Sequence, residues 1–166
     1  PVVISTRATS SLFEVYSSDL ILVNIVLRRG KGAYGGCIFV TGYAKTHLIG
    51  STVRDCEATH NGGAIFVQGV GASIVFEGAT LEGNIAKNAG GGIFVKDKAH
   101  IVVVANTTIL RNNSAMNYEH CGGGLYIQER GMLTVTGSGA RLLIEGNRAD
   151  YYGGGLYAED GAAVIV

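Results

Sequence analysis

A glycine pair followed by three apolar residues recurs five times in this chain, and the recurrence limits the folds that the chain can adopt. The pairs are Gly35-Gly36, Gly62-Gly63, Gly90-Gly91, Gly122-Gly123 and Gly153-Gly154, spaced by 27, 28, 32 and 31 residues. Each period holds three short runs rich in Val, Ile and Thr, which favour strands. In the third repeat these runs are 93–95, 100–104 and 108–110. A period of about 30 residues predicts a solenoid.

We therefore predict an all-β fold, a right-handed single-stranded parallel β-helix with three strands per coil and about 5–6 coils. Parallel crossovers are right-handed in nearly all proteins, which sets the expected hand. Residues 1–34 supply one coil, with strands near 11–16 and 20–27. The expected coils are 1–34, 35–61, 62–89, 90–121, 122–152 and 153–166.

The whole chain, 1–166, is expected to be one β-helix segment of a longer protein. A solenoid needs polar caps at its ends. This chain begins and ends in strand-like sequence.

Equivalent positions of the repeats form columns that predict which side chains face the core. Two apolar columns lie two residues apart and therefore share one face of a strand. They are Ile38, Ile65, Ile93, Leu125, Leu156 and Val40, Val67, Val95, Ile127, Ala158. By alternation the column between them points outward: Phe39, Phe66, Phe94, Tyr126 and Tyr157. Each glycine pair enters its strand at a corner that needs a positive φ or a close backbone approach.

An Asn column precedes the glycine pairs, with Asn84, Asn113 and Asn147 at the position that Cys56 and Gly30 occupy in earlier coils. Stacked Asn side chains can hydrogen-bond along the solenoid axis, and Asn tolerates a left-handed corner. The column is therefore predicted to be structural.

A column of charged residues lies one place after the aliphatic residue of each turn: Arg28, Arg54, Glu82, Arg111 and Glu145. From Arg54 onward the charges alternate in sign, so neighbours in adjacent coils can pair. We predict the surface ion pairs Arg54–Glu82, Glu82–Arg111 and Arg111–Glu145.

Composition excludes several classes of partner. Formal net charge is zero, which argues against nucleic acid and anionic membrane surfaces. No run reaches the roughly 18 apolar residues of a membrane span, so no membrane insertion by this segment is expected. Cys37, Cys56 and Cys121 show no disulfide framework and no zinc spacing, and their odd number leaves at least one unpaired. Asn106 and Asn112 begin N-glycosylation sequons.

Histidines and carboxylates offer candidate chemistry. His47 and His100 share one strand-entry position and His60 and His120 another, but two coils separate the members of each pair by roughly 10 Å. That distance is too long for shared metal ligation. We expect solvated turn histidines, no metal and no cofactor.

Asp97, Glu129 and Asp160 should stack in adjacent coils at a spacing that suits glycoside hydrolysis. Because Lys96, Lys98 and Arg130 flank them, a charged turn is the preferred interpretation. A bridging Ca²⁺ ion is a third alternative.

The repeat resembles that of the chlamydial polymorphic outer membrane proteins, which pairs GGA[ILV] with FxxN motifs. The matching residues are Gly62-Gly63-Ala64-Ile65 and the four equivalent segments, with Asn84, Asn113 and Asn147. The resemblance spans 27–157. Here GGA is mostly GGG, and the F of FxxN is an aliphatic residue. The resemblance implies a surface-displayed adhesin built on a β-helix passenger.

We therefore expect a structural or adhesive extracellular or cell-surface scaffold with no enzymatic activity. The expected partners are proteins, further copies of the chain or surface glycans. The aromatic column is the candidate contact, with its Phe39–Phe66–Phe94 end covered by another segment or chain and its Tyr end wetter and able to stack on sugars. The alternative is a polysaccharide lyase or hydrolase, but such a site would interrupt the repeat.

Overall fold

The computed structural model describes residues 1–6, 9–116 and 122–166, and their regular elements are 23 β-strands. They form four parallel sheets, and the chain visits the sheets in a fixed order in every coil. This arrangement is a parallel β-solenoid of about five turns, as predicted. The described part of the chain holds no helix that could cross a membrane.

Sheets I and II follow each other directly in every coil. Sheet I contains the strands of the glycine motif: β2 (Phe13–Tyr16), β6 (Ile38–Thr41), β10 (Ile65–Gln68), β14 (Ile93–Lys96), β18 (Leu125–Ile127) and β22 (Leu156–Ala158). Sheet II contains β3 (Asp19–Val23), β7 (Lys45–Ile49), β11 (Ser73–Glu77), β15 (His100–Ala105), β19 (Met132–Val135) and β23 (Ala163–Ile165).

Sheets III and IV complete the coil. Sheet III contains β1 (Val2–Ser5), β4 (Ile25–Arg28), β8 (Thr52–Arg54), β12 (Thr80–Glu82), β16 (Thr107–Arg111) and β20 (Arg141–Glu145). Sheet IV contains β5 (Lys31–Gly32), β9 (Glu57–Ala58), β13 (Ile85–Ala86), β17 (Ser114–Ala115) and β21 (Arg148–Ala149). Sheets I to III are the three predicted strands of each coil. The two-residue strands of sheet IV are an addition, too short to leave a periodic signal in the sequence.

The predicted columns are the register of sheet I. Ile65 lies beside Ile38 and Ile93, and Val67 lies beside Val40 and Val95. Both columns continue into β18 and β22. Their members from β6 to β18 are 0–1 % exposed and belong to the main apolar core. Because the parallel strands stack without offset, each side chain of a column packs directly against the equivalent side chains of the adjacent coils.

The two glycines of each pair are needed for different reasons. The first has a positive φ in every repeat, such as 70° at Gly62 and 65° at Gly90. The second has ordinary φ, but a Cβ on Gly63 would overlap the carbonyl oxygen of Gly91 in the next coil. One glycine therefore makes the corner and the other lets adjacent coils approach.

Side-chain amides of the Asn column form a continuous ladder through the buried turn between sheets III and IV. Asn84 Nδ2 donates to Asn113 Oδ1 at 2.8 Å, and Asn113 Nδ2 donates to Asn147 Oδ1 at 2.9 Å. Each Nδ2 also donates to a carbonyl of the preceding coil, as Asn113 does to Leu81 at 3.0 Å. Asn84 and Asn113 are at most 1 % exposed. The ladder therefore pairs polar groups that would otherwise be buried without partners.

The left-handed corner at this turn is one residue earlier than expected. The ladder residues have no positive φ, whereas the residue before each of them does: Arg29, Asp55, Gly83, Asn112 and Gly146. The prediction that Asn itself adopts the left-handed conformation is wrong. The side chain of a ladder residue must point into the solenoid, and the preceding residue makes the bend.

The third residue of each glycine motif lies against the ladder residue of its own coil. A Cβ on Gly92 would come 3.2 Å from Asn113 Nδ2, and one on Gly124 would come 2.9 Å from Asn147 Nδ2. The amide therefore fills the space that a side chain would need. Coil 62–89 keeps Ala64 beside Asn84, whereas in coils 90–121 and 122–152 a Cβ at this position would also overlap the carbonyl oxygen of Gly124 or Gly155 in the following coil.

In coil 35–61 the same two positions are Cys37 and Cys56, which form a disulfide with a Cα–Cα distance of 5.7 Å. Both residues are almost fully buried. The expectation that the cysteines have no disulfide pattern is wrong for this pair, because the contact follows from the column register and not from sequence spacing. Cys121 lies outside the described residues. Cys56 N–H donates to Asn84 Oδ1 at 3.0 Å, so the disulfide closes the N-terminal end of the ladder.

The charged column is in the predicted register, but only part of its pairing is present. Glu82 lies between Arg54 and Arg111 in sheet III, and Arg111 lies beside Glu145. Arg111 donates to Glu82 at 2.6 Å, whereas Arg54 turns to Asp55 at 3.2 Å. Among the described residues, the predicted pairs Arg54–Glu82 and Arg111–Glu145 are not formed. Glu82 is occupied by Arg111, and exposed pairs contribute under about 1 kcal/mol, so the register does not force them.

We predict that Asn113→Ala lowers the free energy of unfolding by about 2–4 kcal/mol. The change removes the hydrogen bond to Leu81 C=O and the acceptor of the Asn84 backbone N–H in a buried turn, and it leaves Asn84 Nδ2 with Val53 O alone. Urea denaturation followed by circular dichroism measures this. The exposed Thr107→Ala change in the same coil is the control and should stay within about 0.5 kcal/mol. Equal stability of both variants would contradict a ladder that stabilises the fold.

We predict that the Cys37→Ala/Cys56→Ala variant loses about 3 kcal/mol, the value for a loop of this size. The Cys37→Ala/Cys56→Asn variant should recover part of that loss, since it recreates the Ala64/Asn84 arrangement of the next coil. Denaturation of both variants without reductant provides the comparison. An Asn variant no more stable than the Ala variant would show that the ladder cannot be extended into this coil.

Candidate functional site

The aromatic column of sheet I forms a stack of rings along the solenoid. The centroid distances of its four successive pairs are 5.6, 5.1, 4.9 and 5.4 Å, and the ring planes are within 28° of parallel. The stack contains Phe39, Phe66, Phe94, Tyr126 and Tyr157, in that order. We call it the aromatic ladder. Stacked rings at these distances attract one another beyond their burial.

The rings point away from the main core, as predicted, but the middle of the ladder is not a surface. Phe66 and Phe94 are 2 % exposed and Tyr126 is 0 % exposed, and with Ala89 they form a second, smaller core. The expected exposed stripe is therefore wrong for these three rings. Phe39 and Tyr157 are half-buried, so a partner that contacts the ladder would meet its two ends.

The chain covers its own ladder with the column just before the glycine pairs. Backbone hydrogen bonds place Tyr34, Asn61, Ala89 and Tyr152 at this position. The Tyr34 ring lies 5.1 Å from Phe66, and the Tyr152 ring stacks on Tyr157 at 5.5 Å. The sequence gives no periodic signal for this cover, because its members differ in size and polarity.

The tyrosine end of the aromatic ladder is also less exposed to solvent than expected. The single hydroxyl proton of Tyr126 is shared between two acceptors, Gln128 Oε1 at 3.0 Å and Glu159, and Tyr157 donates to Glu159 at 3.3 Å. Burial and the Glu159 hydrogen bond raise the pKa of Tyr126 well above its ordinary value. The hydroxyls are therefore used within the chain, and sugar stacking on Tyr126 has no structural support.

A groove runs beside the ladder, between its cover and a column of polar residues at the end of sheet I. The polar column contains Thr41, Gln68, Lys96 and Gln128. A recess of about 380 Å³ is lined by Tyr34, Phe39, Asn61, Phe66, Gln68, Phe94, Lys96 and Gln128. A second recess of about 280 Å³ is lined by residues 9–11, 14, 16 and 32–34 and by Phe39. The two share Tyr34 and Phe39 and together form what we call the ladder groove.

Charge in the ladder groove is nearly balanced. Lys96 Nζ lies 3.5 Å from Asp97 and 3.8 Å from Glu129. Gln128 Nε2 donates to Glu129 at 2.9 Å. At the other end Tyr16 donates to Glu14 at 3.1 Å, and this hydrogen bond raises the pKa of Tyr16. The polar wall is therefore made mainly of amides and of a lysine that is already paired.

The candidate carboxylates Asp97, Glu129 and Asp160 stack in one column, as predicted. Each has a positive φ, and Lys98 N and Arg130 N donate to Glu129 O and Asp160 O of the following coil. They lie in tight turns at the edge of a recess of about 380 Å³, shared with Val70, Lys98 and Arg130. A hydrogen bond with Asp97, together with burial, raises the pKa of Glu129. Within the described residues no three His, Cys, Asp or Glu side chains are grouped to hold a metal ion.

The histidine columns differ from the predicted ones. His47 lies beside Val75 in sheet II, whereas His100 lies beside Ser73, so they do not share a position. Both are half-buried strand residues and not solvated turn residues. A ring nitrogen of His100 lies 2.9 Å from Thr134 Oγ1, and burial lowers its pKa. His60 is exposed and stacks on Tyr34 at 5.0 Å, and His120 lies outside the described residues.

The two sequon asparagines lie at turns on either side of β16. Asn106 and Asn112 are exposed and have positive φ values of 58° and 53°. Their glycosylation stays a prediction.

We predict that Phe66→Ala costs about 3–5 kcal/mol of unfolding free energy, because the ring is buried between two stacked neighbours. Phe39→Ala is the matched control. It removes the same ring from a half-buried end and should cost about 1–2 kcal/mol. Chemical denaturation of both variants measures the difference. Equal losses would contradict a ladder with a buried middle.

Comparison with known proteins assigns the chain to a family that is defined by its β-helix fold. Searches against curated proteins and solved structures found no match. The family model described as a right-handed β-helix region matches residues 15–166, which cover all but the first strand and the segment after it. The match agrees with the parallel sheets, the stacked columns and the expected hand. The chain therefore belongs to the right-handed β-helix family.

Proposed function

We propose that this β-helix is a structural or adhesive segment of an extracellular or cell-surface protein, which binds proteins or glycans along its side and catalyses no reaction. The observation that carries the proposal is the continuity of the columns. The Asn ladder continues through three coils, and the aromatic ladder and the glycine corners continue through five. A regular side of this kind supplies a repeated binding surface.

The disulfide supports the proposed location. Cys37 and Cys56 are paired in the interior, where the bond is closed off from solvent. Disulfides persist in oxidising compartments and are rare in the cytosol of most organisms. A secreted or surface-displayed protein is therefore the setting that this coil favours.

The repeat signature supports a relationship with the chlamydial polymorphic outer membrane proteins. The structure supplies a physical reason for the GG pair and for the Asn of the signature. Under this proposal, the Asn and glycine residues maintain the scaffold. Binding is left to side chains that vary between coils, among them Tyr34, Asn61 and Gln68.

A polysaccharide lyase or hydrolase is the second candidate, favoured by one observation. Glu129 has a raised pKa beside Asp97, as a general acid requires. However, Lys96 lies within 4 Å of both carboxylates, and the two residues belong to successive copies of one tight turn. A charged turn explains this geometry without catalysis.

We predict that the purified, oxidised chain leaves pectin, alginate and xylan intact. Incubation at pH 5 to 8 should produce no new reducing ends and no unsaturated products, because no coil is rebuilt into an active site within residues 9–116 and 122–166. Size-exclusion chromatography detects the shorter chains that carry new reducing ends, and ultraviolet absorbance detects unsaturated products. Depolymerisation that is lost in Glu129→Gln but kept in Glu145→Gln, a carboxylate on another sheet, would overturn the non-enzymatic proposal.

Adhesion is tested separately. Beads coated with the oxidised chain should attach to cultured cells more than beads coated with the chain reduced and unfolded in urea. Equal attachment would remove the adhesive part of the proposal.

A further inference from the structure

We infer that the ladder groove binds a neutral oligosaccharide, laid along the solenoid axis against Tyr16 and Tyr34 and hydrogen-bonded by Asn61 and Gln68. The inference rests on the proposed adhesive function and names its ligand. It differs from sugar stacking on the tyrosines of the aromatic ladder, whose hydroxyls and ring faces are used within the chain.

The groove has the shape of a site for an extended chain. Its two recesses of about 380 and 280 Å³ meet at Tyr34 and Phe39, and their lining residues come from successive coils. Combined, they reach the size range of ligand sites. Coils repeat at about 4.8 Å, close to the length of one sugar unit in an extended glycan. Tyr34 and Asn61 in one wall, and Thr41 and Gln68 in the other, are therefore spaced by about one sugar unit.

Two aromatic rings in the groove keep free surface. Tyr16 is 57 % exposed and touches only Phe39 of the aromatic ladder, whereas Tyr34 is 42 % exposed with His60 stacked on it at 5.0 Å and Phe66 beside it at 5.1 Å. Tyr16 lies 5.8 Å from Phe39 with the planes tilted by 52°, which leaves a ring face open to solvent. The C–H face of a pyranose packs on such a ring, and the tyrosine hydroxyl stays in water.

The opposite wall has the hydrogen-bonding groups that hydroxyls need. Side-chain amides supply two donors and one acceptor oxygen each. Gln68 Nε2 makes a 3.5 Å contact with Thr41 Oγ1, and Asn61 Oδ1 accepts from Ala89 N at 3.2 Å. Both side chains are half-buried at the edge of the recess. Because both side chains line the larger recess, their remaining N–H groups can donate to a ligand there.

The charges favour a neutral ligand over an acidic one. Lys96 is already within 4 Å of Asp97 and Glu129, so it has no spare charge for a sulfate or a uronate. Glu14 lines the other recess, and its carboxylate would repel an anion. An extended peptide fits less well. It would need strand edges to pair its backbone, whereas the groove lies on the face of sheet I, whose inner strands are paired on both sides.

The test is isothermal titration of the oxidised chain with neutral hexasaccharides of glucose, mannose, galactose and xylose, beside hexagalacturonate and heparin hexasaccharide. We expect at least one neutral hexasaccharide to bind. Tyr34→Ala should weaken that binding about tenfold, the value of one lost stacking contact. Gln68→Ala should weaken it several-fold. Tyr43→Ala removes an exposed tyrosine from a turn outside the groove and should leave binding unchanged. Thermal unfolding of each variant checks that the fold is intact.

Three results would overturn the inference: no neutral hexasaccharide binding at millimolar concentration, preference for the acidic hexasaccharides, or equal affinity in folded Tyr34→Ala. If the beads still attach to cells in that case, the adhesive proposal stands with a protein ligand and the glycan inference alone fails. If attachment is also lost, both fail.

Discussion

The fold depends on hydrogen bonding between equivalent residues of successive coils. Because every sheet is parallel and in register, each residue lies directly above its counterpart about 4.8 Å away. A side chain must therefore be compatible with a copy of itself on both sides. Apolar residues, aromatic rings and amides meet this condition in the two ladders and the core. Adjacent like charges do not, and the charged column pairs in only one place among its described members.

This condition also explains what could be predicted from the sequence. The core columns, the glycine corners and the stacking of Asn84, Asn113 and Asn147 repeat along the chain, so comparing the repeats gave them correctly. Contacts that occur in only one coil leave no repeating pattern in the sequence. The pairing of Cys37 with Cys56 and the covering of Phe66 by Tyr34 each join two different columns within the cross-section. The columns of His47 and His100 were misjudged because His100 is the first residue of β15, whereas His47 is the third residue of β7, although the turns before both strands have three residues.

The candidate site follows from the same distinction. The aromatic ladder is a repeated feature and serves the fold, so its middle rings are buried. The groove beside it is lined by positions where the coils differ, such as Tyr34 and Asn61 in the covering column, which has Ala89 in the next coil. Large side chains at one end and small ones in the centre open a space above a constant floor. In this protein, positions that are the same in every coil have structural roles, and positions that differ between coils line the candidate binding surface.

The disulfide gives coil 35–61 a mechanical property that the other coils lack. It joins the start of sheet I to the turn after sheet III, so a covalent ring of 19 steps along the chain encloses a section of three sheets. Tension applied along the solenoid from the N-terminal side would first detach the residues before Cys37 from the following coil. At the ring, the load would pass through the sulfur atoms and leave the enclosed segment folded against its neighbour. Under such tension the solenoid would extend in two stages, with this coil as the stop between them.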